Sequence, residues 1–183
     1  MNFFSLFKRK IIFKFKKKVN IDFDNIKENS LDSLFSYYNT DKANLFNNGK
    51  DKGHGYAKFY ETHLNKFKYR EIKILEIGSF SGASAAAFVK FFRNAEIYCL
   101  DVNLTSVKYK SDKINFFGID SSNTKMLDKF LKIIKKKFFV KKFDVIIDDG
   151  SHILSDQLFS INYFYKYLKK DGYYVIEDYK FSN

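Results

Sequence analysis

From residue 71 onward, short apolar runs alternate with longer stretches whose apolar residues recur every three or four positions. The runs Ile72–Ile77, Glu96–Asp101, Ile114–Gly118, Phe143–Asp148 and Tyr173–Asp178 read as strands. The stretches Gly82–Phe92, Thr124–Phe138 and Ser155–Lys169 read as helices. Strands that are apolar throughout are buried on both faces, so this alternation predicts an α/β fold with a doubly wound, mostly parallel sheet. Right-handed crossovers place every strand's carboxyl end on one rim, and ligands of such sheets bind along that rim. The chemically informative residues of this chain fall at those ends.

The first seventy residues follow a different pattern. Phe4, Phe7, Ile11 and Phe15 fall on one helical face among lysines, so residues 1–18 read either as a segment lying on a membrane surface or as a solvated basic tail. The apolar stretch is short and the charges follow it, which does not fit a secretory signal. Residues 28–38 and 55–67 read as helices: Leu31, Leu34, Phe35 and Tyr38 share one face, and Tyr56, Phe59, Tyr60, His63 and Phe67 another. Asn39–Gly55 between them is polar and glycine-bearing, hence a loop. The expected organisation is a basic amphipathic tail (1–20), an N-terminal helical segment (21–70) and an α/β core (71–183), with no internal repeat.

Composition adds limits. The chain has 183 residues, 45% of them apolar, enough for one domain with a real core and unlike a disordered composition. No apolar run approaches the roughly 20 residues that span a bilayer. The single cysteine, Cys99, excludes a disulfide framework and sits in an apolar run as a small core residue. The formal charge of +12 is concentrated: residues 1–20 hold seven Lys/Arg and no acid, and residues 125–142 hold eight Lys and one acid, Asp128. Such stretches can face nucleic acid or an anionic membrane. The bias is almost wholly lysine, with Phe, Tyr, Asn and Ile abundant and Pro absent, which fits an AT-rich coding sequence and lowers its functional weight.

The first strand of the core runs into Glu76-Ile77-Gly78-Ser79-Phe80-Ser81-Gly82. Gly78 permits a tight turn, and Gly82 permits close packing where the next helix begins. The two glycines are four apart and Phe80 stands between them, so this is not the dinucleotide fingerprint. The spacing favours a smaller ligand with a carboxylate over a pyrophosphate, met by free N–H groups at a helix start. Asp101 closes the second strand, where an acid accepts hydrogen bonds from ribose hydroxyls. Asp120 closes the third, near an adenine position. Each acid alone is a common turn residue; in this order they favour a nucleoside ligand.

The fourth strand ends Asp148-Asp149-Gly150-Ser151-His152 and the fifth Ile176-Glu177-Asp178. Asp149, Glu177 and Asp178 would offer three hard oxygen ligands, which suit Mg²⁺ or a similar divalent cation. His152 is near enough to act as a base. A bound cation lowers the pKa of a ligated hydroxyl sharply, as it does for water, from 15.7 to about 7. The alternatives are a simple Asp-Gly turn, solvated strand-end acids and a structural histidine.

Glu76, Gly78, Gly82, Asp101 and Asp120 together resemble the class I S-adenosylmethionine-dependent methyltransferases over residues 71–178. The pairing of Asp148–His152 with Ile176–Asp178 resembles the macrocin and mycinamicin sugar O-methyltransferase group, as does the upstream His54-Gly55-Tyr56-Ala57-Lys58-Phe59-Tyr60-Glu61. The resemblance implies a Rossmann-like sheet, S-adenosylmethionine held by the first set, a divalent cation on Asp149, Glu177 and Asp178, and His152 as catalytic base. The acceptor would be a hydroxyl of a sugar or glycan. The upstream segment is either part of the site or a packing face of its helix. The resemblance also implies a further helix and two strands after the fifth strand, whereas the chain stops at Asn183. The core is therefore expected to be incomplete, with an open fifth strand that a second copy or another partner would cover, and to bind cofactor better than it catalyses. The competing readings are a nucleic-acid methyltransferase, disfavoured by the Asp-Asp-Gly-Ser-His strand end, an inactive remnant, and a membrane-surface scaffold. The expected location is the cytoplasm, at most peripheral to the inner membrane.

Overall fold

The computed structural model describes residues 3–26 and 30–179. Five parallel strands form its centre: β1 (Glu71–Ile77), β2 (Asn94–Asp101), β3 (Ile114–Gly118), β4 (Phe143–Asp148) and β5 (Leu168–Ile176). Their spatial order is β3-β2-β1-β4-β5. The order reverses between β1 and β4, so the crevice above the β1 and β4 ends is the topological switch point. Among the described residues six α-helices accompany the sheet: α1 (Phe3–Phe15), α2 (Leu31–Tyr37), α3 (Ala57–Leu64), α4 (Ala83–Phe91), α5 (Thr124–Lys137) and α6 (Leu154–Phe164).

Strand alternation divides the core into two layers. Ile74, Ile97, Cys99, Val145 and Ile147 pack toward α2, α3 and α4. Leu75, Ile77, Tyr98, Leu100 and Ile146 pack toward α5 and α6. The run Ala83-Ser84-Ala85-Ala86-Ala87 is wholly buried. Small side chains let that helix lie close on the sheet, which brings its first turn over the end of β1.

Several boundaries differ from the sequence expectation. The start expected at residue 28 lies outside the described residues; α2 begins after Ser30, whose side chain accepts from the Ser33 N–H as an N-cap. The last helix ends at Phe164 rather than Lys169, and β5 begins at Leu168 rather than Tyr173. Pairing decides this: Leu168 sits opposite Phe143, with an irregular register before Val145 meets Tyr173. Lys169 Nζ is 2.9 Å from both oxygens of the buried Asp144. Among the described residues β5 pairs on one side only.

The first helix docks on the molecule. Phe13 meets Phe116 of β3 with ring centroids 6.0 Å apart. Arg9 Nη1 donates to the Val102 carbonyl at 3.2 Å and Lys16 Nζ to that of Thr105 at 2.6 Å. Val19–Asn20 then pairs in parallel with Tyr109–Lys110. Residues 9–20 are thus attached to the core rather than free in solvent.

Candidate active site

The site grows out of the turn after β1. Gly78 has φ +85°, and a Cβ there would stand 1.9 Å from the Asp149 carbonyl oxygen. Only glycine lets the β1 and β4 ends approach so closely. Gly82, at φ +72°, begins α4 beneath the Phe116 ring, which a Cβ would meet at 2.7 Å. Phe80 between them holds φ +41°, and His152 and Asp178 hold +57° and +51°. Left-handed backbone at a non-glycine residue costs energy and concentrates where a site imposes it. These three line one cavity of about 500 Å³ at the carboxyl rim, together with Gly78, Asp101, Asp149 and Lys42.

At one end of the cavity, Asp101 is held by two backbone N–H groups, from Phe80 to Oδ2 at 2.7 Å and from Asn103 to Oδ1 at 2.6 Å. Each oxygen keeps a second lone pair for a ligand. Glu76 lies beneath, fully buried, accepting from the Ser84 hydroxyl. Burial pushes its carboxyl up, with the Lys42 charge opposing. Asp120 is elsewhere: its Oδ1 accepts from its own loop, from Ser122 N at 3.1 Å and Ser122 Oγ at 2.6 Å. It is not among the cavity-lining residues.

At the other end, Asp149, His152 and Asp178 offer ligand atoms that all lie within 4.8 Å of one another. His152 Nε2 is 3.8 Å from Asp149 Oδ1, and His152 Nδ1 is buried without a partner. Glu177, expected as a third oxygen ligand, has both oxygens engaged. Oε2 accepts from the Lys42 ammonium and Oε1 from the Tyr60 hydroxyl. Lys42 also bonds Asp149 Oδ2 at 2.5 Å. Its side chain is only 3% exposed, so the loop carries a cation into the interior. Burial pushes Lys42 down, but the Glu177 and Asp149 carboxylates outweigh that and hold it above the ordinary lysine value. Burial pushes Glu177 up to about 7, against the pull of Lys42.

The upstream segment is both a packing face and part of this cluster. Tyr60 is buried against Phe88 and Phe35, with centroids 5.1 and 6.3 Å away. Its hydroxyl reaches Glu177, while that of Tyr56 donates to Asp178. His54 Nδ1 stands 3.6 Å from Asp178 Oδ1. The hydroxyls and Lys42 were missed in the sequence: the tyrosines show there only as a helical face, and Lys42 is one of 30 lysines in a loop without periodicity.

A β3-β2-β1-β4-β5 sheet, with an acid after β2 and a glycine turn after β1 at the switch point, is the class I S-adenosylmethionine-dependent methyltransferase fold. Residues 75–179 match the methyltransferase-domain family, and the chain belongs to it. Mycinamicin VI 2''-O-methyltransferase of Micromonospora griseorubida is 27% identical over 132 residues, 68% of this chain and 31% of that protein. Demethylmacrocin O-methyltransferase of Streptomyces fradiae is 27% identical over 132 residues, 68% of this chain and 32% of that protein. The MycE methyltransferase from the mycinamycin pathway, solved in complex with Mg and SAH, matches with TM-score 0.68 and 25% identity, over 83% of this chain and 40% of its own. The chain thus spans about a third of the length of these curated relatives.

Proposed function

We propose that this chain is the cofactor-binding part of an S-adenosylmethionine-dependent, divalent-cation-assisted O-methyltransferase whose acceptor is a sugar or glycan hydroxyl. The observation that carries the reading is the single cavity lined by Asp101 at one end and by Asp149, His152 and Asp178 at the other. A nucleoside-binding acid, a pair of cation-binding carboxylates (Asp149 and Asp178) and a base (His152) then address one bound ligand pair. Two further relatives, L-olivosyl-oleandolide 3-O-methyltransferase of Streptomyces antibioticus and 8-demethyl-8-alpha-L-rhamnosyl tetracenomycin-C 2'-O-methyltransferase of Streptomyces olivaceus, carry a sugar in the printed name of the acceptor and support the acceptor class.

The sulfonium of the cofactor supplies the reactive methyl group, and the cation supplies Lewis acidity toward the acceptor oxygen. The residues do the rest. Asp101 receives the ribose hydroxyls in an orientation fixed by the N–H groups of Phe80 and Asn103. The glycine at 78 keeps the turn open against β4. Asp149 and Asp178 suit a hard cation, since each is a carboxylate facing the cavity and they converge with His152. Glu177 stands behind them, tying Lys42 and Tyr60 to the β5 end. His152, whose Nε2 lies 3.8 Å from Asp149 Oδ1 on the cavity wall, would take the acceptor proton as general base.

Titration with Mn²⁺, followed by the loss of the free-ion EPR signal, checks the cation part. The wild-type chain is expected to bind one ion, and Asp178→Asn to weaken binding at least about tenfold, consistent with one lost charged ligand. Equal Mn²⁺ affinity in both proteins would remove Asp178 from the cation site.

A further inference from the structure

The two basic stretches, far apart in sequence, meet on one face of the fold. An apolar groove of about 510 Å³ runs between α1 and α5, lined by Phe7, Phe13, Phe116, Met126 and Ile133, with Lys10 and Lys129 also in its wall. Coding bias accounts for abundant lysine; it does not account for two lysine-rich helices flanking one apolar channel. The first helix is also two-sided. Arg9, Phe13 and Lys16 hold it to the core, whereas Phe7, Ile11, Ile12 and Phe15 are exposed, Phe15 by 79%. At 100° per residue these four occupy one arc, opposite the docked side. Lys8, Lys14 and Lys17 on the same segment are exposed, and no acid occurs in residues 1–20.

We infer that this face is a docking surface for an anionic lipid bilayer. A helix that presents phenylalanine and isoleucine outward, among lysines only, matches the headgroup–acyl boundary: the rings enter the apolar edge while the ammonium groups meet lipid phosphates. Each lysine near an anionic leaflet strengthens binding about fivefold. Lys125, Lys129 and Lys136 on α5 are exposed and extend the positive surface. Among the described residues no helix is long and apolar enough to cross a membrane; the contact inferred for this face is with the bilayer surface. Its placement matters for the enzyme. The docked side of α1 grips the carbonyls of Val102 and Thr105, in the loop that follows Asp101, so a chain seated this way holds its cofactor end beside the bilayer.

Flotation of the full chain with phosphatidylcholine vesicles, with and without 30% phosphatidylserine, tests the inference. Binding to the anionic vesicles is expected to exceed binding to neutral ones at least tenfold and to fall at least tenfold in 0.5 M NaCl. The triple variant Ile11→Ser/Ile12→Ser/Phe15→Ser removes only outward side chains and is expected to lose vesicle binding. Its far-UV circular dichroism and SAH affinity should stay as in the wild type. Lys8→Gln/Lys14→Gln/Lys17→Gln is expected to lose the preference for anionic lipid. No flotation of the folded wild-type chain would overturn the proposal. So would flotation unchanged in the serine variant, or salt-sensitive binding to duplex RNA that vesicles do not compete.

Discussion

Lys42→Met is expected to destabilise the fold by about 3–5 kcal/mol, the usual cost of removing one partner from a buried ion pair. For a chain of this length that is a fall in Tm on the order of 10 °C. The size follows from burial: Glu177 is 4% exposed and Lys42 3%. Methionine fills most of the lysine stem's volume, so the loss is electrostatic rather than a cavity. Glu177 would keep the Tyr60 hydroxyl, but its second oxygen would face neither water nor a cation. Asp149 also loses Lys42, yet it is 22% exposed and can turn to solvent. Adding Glu177→Gln removes the acid that must take up a proton once Lys42 is gone, so the double variant is expected to regain more than half of the lost stability. Urea unfolding of the two proteins decides the matter. A single variant within 1 kcal/mol of the wild type would show that the pair contributes little.

Gly78→Ala is expected to be at least comparably damaging. The position combines φ +85° with a backbone oxygen 1.9 Å from the added Cβ, and the Asp149 carbonyl carbon at 2.5 Å. Both neighbours belong to the main chain at the β4 end, so no side chain can rotate away. Either β1 and β4 separate at the rim or the Asp149–Gly150 turn moves, and both displace the residues that line the cavity. The expected cost exceeds about 3 kcal/mol, at the upper end for a single substitution. In any chain that still folds, SAH affinity should fall more than about a hundredfold, because the turn carries both the glycine and the Phe80 N–H that orients Asp101. Chemical unfolding and SAH titration read the two effects separately. A variant that folds and binds as the wild type does would contradict the crowding of this turn.

The sheet was legible because four of its strands are short, mostly apolar runs of aliphatic and aromatic residues, and because Gly78 and Gly82 punctuate the turn between periods. The polar start of β5 was not. Lys169-Lys170-Asp171-Gly172 has no strand pattern, and it is extended only because Leu168 finds Phe143 and Lys169 finds Asp144 across the sheet. At the site, position along the chain pointed to Asp101, Asp149, His152 and Asp178, since strand ends share a rim whatever their separation. What local pattern cannot reveal is which distant group enters. Lys42 comes to Glu177 from 135 residues away, and nothing in its own neighbourhood distinguishes it from a solvated lysine. The converse holds for Asp120: its position at a strand end was readable, but its loop bonds to Ser122 form only in the folded turn. The amphipathic pattern of α1 was readable too, whereas its seat on β3 depends on Phe116, more than a hundred residues later.

The most direct test of the central reading is calorimetric titration of the folded 183-residue chain with S-adenosylmethionine, with and without Mg²⁺, alongside Asp101→Ala. Saturable one-to-one binding is expected in the wild type, weakened at least about thirtyfold in Asp101→Ala through loss of charge-assisted hydrogen bonds to the ribose. No binding by a chain with native circular dichroism, or equal binding by Asp101→Ala, would contradict the cofactor site and the methyltransferase reading built on it.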